Sequence, residues 1–144
     1  MTFVPKKAGE WELFYPKKTA NEAFVTGAAL DWPASVTGYA VKATNATTKF
    51  AGISQNTITS ADGVKYTGNA VIAALRPNKG TKRPILVATA AGAAVTAVGL
   101  RCDLTDEVTV DIANSNVGRV VVDEFYSATS LGVHFLEPTE TGST

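Results

Sequence analysis

Between Tyr39 and Leu136 the sequence breaks into short runs rich in valine, isoleucine and threonine, each ended by glycine, asparagine or proline before a helix of ordinary length could form. β-Branched side chains lose rotamer freedom in a helix and pack well on a pleated surface, so these runs read as strands. The predicted strands are Tyr39–Ala43, Phe50–Ser54, Ala70–Leu75, Ile85–Thr89, Leu100–Leu104, Val108–Ile112, Arg119–Glu124 and Leu131–Leu136. Alternation is clearest where Val108, Val110 and Ile112 share one face, and in Leu131–Leu136, the pattern of a half-buried antiparallel strand. Turn signals at Ala61–Gly63, Thr67–Asn69, Pro77–Gly80 and Asn114–Gly118 separate the runs at the spacing of a small sandwich or barrel. One stretch, Ala88–Val98, is alanine-rich enough for a short helix, but Gly92 interrupts it and its residues fit a loop leading into a strand equally well. The expected class is therefore all-β, or mainly β with at most one short helix: a small antiparallel β-barrel or sandwich with an extended N-terminal arm.

Of 144 residues 45% are hydrophobic, enough for one domain with a real core. The expected division is an arm at 1–18, a β-rich domain at 19–137 and a polar tail at 138–144. Thirteen basic residues balance thirteen acidic ones, so no overall field draws the chain to nucleic acid or an anionic membrane. No apolar run reaches the length of a membrane span, and the N-terminus lacks the pattern of a signal peptide, so synthesis in the cytoplasm is expected. Cys102 is the only cysteine and His134 the only histidine, which excludes an internal disulfide and a structural zinc site built from thiolates and imidazoles.

No constellation for catalysis stands out, and no enzyme activity, metal or cofactor is expected. His134 lies in an alternating strand and reads as a surface or rim residue. Cys102 reads as a buried structural thiol. The acidic run Asp103–Asp111 has leucine and threonine where a calcium loop needs oxygen ligands, so it reads as a solvated turn. Asn45-Ala-Thr47 matches a glycosylation sequon and is read as accidental.

Charge is nevertheless distributed unevenly. The segment Arg76–Pro84 places Arg76, Lys79, Lys82 and Arg83 between two prolines, without the spacing of a phosphate-binding loop. From Asp103 to Glu124 acids dominate, Asp103, Asp106 and Glu107 among them. A basic edge and an acidic edge in a neutral chain predict head-to-tail association of copies.

The N-terminal segment carries Phe3, Val4, Lys6, Lys7, Trp11, Leu13, Phe14, Tyr15, Lys17 and Lys18, with Pro5 and Pro16 bracketing its aromatic centre. Proline donates no amide hydrogen and holds the residue before it extended, so the piece reads as an extended ribbon rather than a central strand. Extended, Trp11, Leu13 and Tyr15 fall on one face and Glu12 and Phe14 on the other. Such a ribbon either folds back on its own domain or adds a strand to the exposed sheet edge of a partner.

The C-terminal half, Gly99-Leu-Arg-Cys-Asp-Leu-Thr-Asp106, Asn116-Val-Gly-Arg-Val-Val-Val-Asp-Glu-Phe125 and Ser127-Ala-Thr-Ser-Leu-Gly-Val-His-Phe-Leu136, resembles the end of head-decoration, or cement, proteins of tailed bacteriophages. Gly38-Tyr-Ala-Val41 and Phe50-Ala-Gly-Ile53 resemble the early strands of the same family. The resemblance implies a compact β-rich protein on the outer surface of an expanded capsid, usually trimeric, whose N-terminal arm docks on the major capsid protein. It implies a virion location and a stabilising role without nucleic-acid or membrane contact. The Pro-Lys-Lys repeats and the Arg76–Pro84 loop have no counterpart in that family. The alternative is a carbohydrate- or surface-binding β-sandwich module, which would present Trp11, Tyr15 and Trp32 as an exposed aromatic platform.

Overall fold

The computed structural model describes residues 2–18, 22–32, 39–45, 49–58 and 72–137. The turn signals at Ala61–Gly63 and Thr67–Asn69, the start of the predicted strand at Ala70, Gly38, Ala46 and Thr47 of the sequon, and the 138–144 tail lie outside them. Among the described residues the chain is all-β, with two single-turn 3-10 segments at Ala8–Glu10 and Val95–Ala97.

The strands are β1 (Val4–Pro5), β2 (Trp11–Phe14), β3 (Lys17–Lys18), β4 (Ala29–Trp32), β5 (Tyr39–Lys42), β6 (Lys49–Ser54), β7 (Ala74–Pro77), β8 (Leu86–Ala90), β9 (Arg101–Asp106), β10 (Thr109–Asp111), β11 (Val120–Ser127) and β12 (Ser130–Phe135). Strands β8, β10, β9, β11 and β12 run round a closed five-stranded barrel, because β12 pairs back onto β8. Closure consumes the sheet edges that would otherwise be unpaired. It is not wholly antiparallel, since β10 joins β8 in parallel. β12 lies along Leu86–Thr89 on one side of β8, so β1, at Leu86–Val87, and β10, at Thr89–Ala90, share the other side. Among the described residues the second sheet is open, in the order β2-β7-β6-β4-β5-β3.

Alternation gives the second sheet two apolar faces. Trp11, Ala29 and Ile53 turn toward the barrel and join Leu86, Leu104, Val120, Val122, Leu131 and Val133 in one core, with Phe50, Leu75 and Phe135 packed at its margin. Phe14, Leu30, Ala40, Ala51 and Ala74 belong to a second core with Phe24, Ile58 and Ile72. A bulge lets both faces be served: Leu30 pairs with Gly52 and Asp31 with Phe50, leaving Ala51 as the extra residue. Gly52 is required there, since a Cβ would meet the Leu75 carbonyl oxygen at 2.3 Å, and its φ of 155° is one that side chains rarely adopt.

Two polar locks join the layers. Arg119, fully buried before β11, forms a two-pronged ion pair with Asp31 on β4, Nη2 to Oδ1 at 2.7 Å and Nη1 to Oδ2 at 3.0 Å. Its guanidinium also donates to the Thr44 carbonyl and sits 5.7 Å from the Phe135 ring centre. The Asn45 amide imitates a strand neighbour for β9, donating to the Leu104 carbonyl at 2.6 Å and accepting its N–H at 2.5 Å. That sequon amide is therefore engaged on both sides by the barrel.

Two expectations need correcting, and one reading left open by the sequence is decided. The first eighteen residues do not stand apart as an arm: β1 joins the barrel sheet, and β2 and β3 join the open sheet. The apolar cost of leaving Phe3, Trp11 and Phe14 in water explains this, because all three are buried. Of the two readings of Ala88–Val98 the loop holds: the chain finishes β8, turns at Gly92 with φ 66°, buries Ala93 in the core and makes one 3-10 turn that seats Ala97 there. His134 is not a surface residue but is buried, its Nδ1 2.7 Å from Asp123 Oδ2 and its Nε2 3.3 Å from Arg83 Nη1.

Candidate binding surface

The antiparallel register of β2 on β7 determines which backbone groups are used. Trp11 lies opposite Pro77, which has no N–H, and the Asn78 N–H reaches past it to the Glu10 carbonyl at 2.9 Å. That makes Trp11–Pro77 a non-hydrogen-bonded pair, so alternation directs the groups of Glu12 and Phe14 toward β7 and both groups of Leu13 away from it. Among the described residues β2 is an edge strand of its sheet, and the Leu13 N–H and C=O point out of that edge. Leu13 and the neighbouring Tyr15 are each about half exposed. The ribbon identified in the sequence is thus divided: Phe3, Trp11 and Phe14 hold it to its own domain, while Leu13 and Tyr15 face outward.

Phe14 contacts Trp32, with centroids 6.0 Å apart, and lies under the Arg76 guanidinium at 4.8 Å. Trp11 meets Phe50 edge-on, and Phe50 stacks on Phe135 at 4.1 Å and 7°. These contacts fix β2 from both faces, which presents its free edge on a rigid support. Val4, on β1, is also half exposed. β1 is held by a surface cluster in which Lys6 pairs with Glu124 at 2.5 Å and Tyr126 donates to the same carboxylate at 2.8 Å. The hydrogen bond to Glu124 raises the Lys6 pKa, and the same bond holds Glu124 below the usual carboxylate range. Burial raises the Tyr126 hydroxyl.

The fold brings together two basic stretches that are far apart in sequence. Asn78 bonds the Gly9 and Glu10 carbonyls, and the Lys6 N–H bonds the Ile85 carbonyl at 3.0 Å. The turn carrying Lys6 and Lys7 therefore abuts the loop carrying Lys79, Lys82 and Arg83, all of which are exposed. Lys17 sits 5.6 Å from the Tyr39 ring, and Lys18 pairs through its backbone with Ala40. Arg76 faces Glu12 at 3.8 Å across the β2–β7 ladder.

On the acidic side the expectation divides. Asp106 is exposed and its carboxylate accepts the Val108 N–H at 2.9 Å, while Glu107 is partly buried. Asp103 does not belong to a charged edge: it is buried, and its carboxylate accepts the N–H groups of Asn116, Val117 and Gly118 at 2.8–3.1 Å. Its charge is used to shape the turn before β11. Cys102, beside it, is fully buried, and burial with the nearby Asp111 and Asp103 charges pushes its thiol up to about 11.

Among the described residues no group of three His, Cys, Asp or Glu side chains is placed to hold a metal ion, and no helix is long and apolar enough to cross a membrane. A feature not found in the sequence is the cleft where Trp11, Phe50 and Phe135 meet the Pro77 and Pro84 ends of the basic loop. Its residues come from four separate segments, and only the paired prolines around the lysines hinted at a shaped loop. No protein-family model matches the chain, and no match is found among curated proteins.

Proposed function

We propose that the protein is a virion structural protein that binds the outer surface of an expanded bacteriophage capsid and stabilises it. The observation that supports this reading best is the open edge of β2, whose Leu13 groups point outward beside two half-exposed apolar side chains. A strand of the major capsid protein laid against Trp11–Phe14 would gain main-chain hydrogen bonds for affinity and the Leu13 and Tyr15 surfaces for specificity. Lys7, Lys79 and Lys82 lie at the surface near that segment and would meet acidic groups of the shell. Such a protein binds the expanded lattice and not its precursor, and so stabilises it by mass action. Trimers on three-fold positions would multiply weak contacts into avidity.

The carbohydrate-module alternative draws less support. Trp11 is buried, Trp32 packs on Phe14, and Tyr15 is the exposed member of the set, so these three do not form one flat platform. The test is to mix the purified protein with expanded, undecorated heads and image them. Added density on the outer surface at three-fold positions is expected; heads that remain bare at saturating protein would refute the proposal.

A further inference from the structure

The segment Val95–Leu100 and the groove beside it are shaped to fit a second copy of themselves, and we propose that the protein pairs there with another copy of the chain about a two-fold axis. From Leu86 to Leu100 the sequence carries no charge, in a chain that is 18% charged. The fold leaves the end of this run outside. Val95 is 68% exposed, more than any other large apolar side chain among the described residues, and Val98 and Leu100 are about half exposed. An apolar side chain alone on a surface needs no partner, but three on one short segment make a patch of the kind that docks.

The segment is rigid. Ala97 is seated in the core, the Ala97 N–H closes the turn on the Ala94 carbonyl at 2.9 Å, and the Leu100 N–H returns to the Ala97 carbonyl at 3.0 Å. The Gly99 N–H donates to the Val122 carbonyl at 2.8 Å and so pins the segment to β11. A contact surface ordered in advance loses little conformational entropy on association.

What would cover it follows from its neighbour. Gly99 and Leu100 also line a groove of about 460 Å³, together with Ile112 and Ala113 from the turn after β10. The Asp111 carboxylate holds that turn, accepting the Ala113 N–H at 3.0 Å and the Asn114 amide at 2.8 Å. Arg101 is the charged residue in the lining and, beside Asn114 and Ser115, supplies a polar rim. A projection next to a groove on one surface is the arrangement of an isologous contact, in which a two-fold rotation lays Val95 and Val98 of each copy in the groove of the other. Charge selects the same occupant. An acidic or basic partner would leave its charges unpaired against Val95 and Val98, whereas the same uncharged segment of a second copy brings none. This contact uses neither the basic and acidic edges nor the β2 edge, and it does not rest on capsid binding.

Sedimentation of the purified chain is expected to show concentration-dependent pairing that is as strong at high salt as at low, where a charge-driven contact would weaken. Val95→Lys should weaken pairing by about tenfold or more, since the new charge would be buried without a partner. Its melting temperature in dilute solution should match that of the parent, because the position is exposed. Leu13→Lys, at an exposed apolar position on the open sheet, should pair as the parent does. Oxidising a mixture of Val95→Cys and Ala113→Cys chains should give disulfide-linked heterodimers in excess of either homodimer, the native Cys102 being buried. A monomer at every concentration, pairing that salt abolishes or that Val95→Lys leaves intact, or cross-linking without preference for the heterodimer would each overturn the proposal. If the chain is monomeric and Val95→Lys fails to decorate expanded heads, the surface belongs to the shell contact instead.

Discussion

The barrel and the open sheet solve the same problem in opposite ways. Both are built from short strands, yet the barrel pairs β12 back onto β8, whereas among the described residues the second sheet stops at β2 on one side and β3 on the other. A closed barrel offers a partner side chains; an open edge also offers unpaired N–H and C=O groups in strand geometry. On the proposed function the barrel serves stability and the open sheet adhesion, with Arg119 and Asn45 linking the two layers.

Breaking the ion pair should have the largest effect. Arg119→Met leaves Asp31 charged and buried, and should destabilise the fold by about 3–5 kcal/mol. Adding Asp31→Leu should recover most of that loss, because the removed charges then need no partner. Chemical denaturation of the single and double variants measures both. Asn45→Ala removes the substitute strand partner of Leu104 and should cost about 1–3 kcal/mol, read the same way.

Leu13→Pro sharpens the contrast between the regions. The Leu13 N–H does not serve the ladder to β7, so proline there should change stability by less than about 1 kcal/mol. Loss of that outward N–H, together with the bulk of the ring, should abolish binding to expanded heads in a co-sedimentation assay. An equivalent change at Glu12, whose N–H does serve β7, should unfold the sheet edge instead.

The smallest effect concerns Lys6 and Glu124. Glu124 is lowered below its ordinary 4.5, so the stability it contributes is present above that value and is lost as pH falls through its lower folded-state pKa. Lys6 is raised above 10.5, so its contribution is present below that value and fades as pH rises through its higher folded-state pKa. Both ends of the profile should flatten in Lys6→Met, measured by thermal melting across pH.

Much of the barrel was legible because its strands alternate and end on turn residues. All eight predicted strands have counterparts, though β7 is shifted toward Pro77. β4 was not legible: Ala29-Leu-Asp-Trp32 puts a charge in the middle of a buried strand, and the arginine that satisfies it is 88 residues away. Asp103 misled for a related reason, since nothing local shows that a carboxylate turns inward to hold three amides. For the N-terminal ribbon, the split of Trp11 and Leu13 from Phe14 across two faces was readable from alternation alone. Which of them would be covered was not, because burial depends on Phe50 and Trp32 arriving from other strands.

Amide hydrogen exchange at Leu13, with and without expanded heads, tests the role of the β2 edge most directly. The proposal predicts rapid exchange in the free protein and strong protection in the complex, with Glu12 protected in both. A Leu13 amide that exchanges equally fast on decorated heads would contradict it.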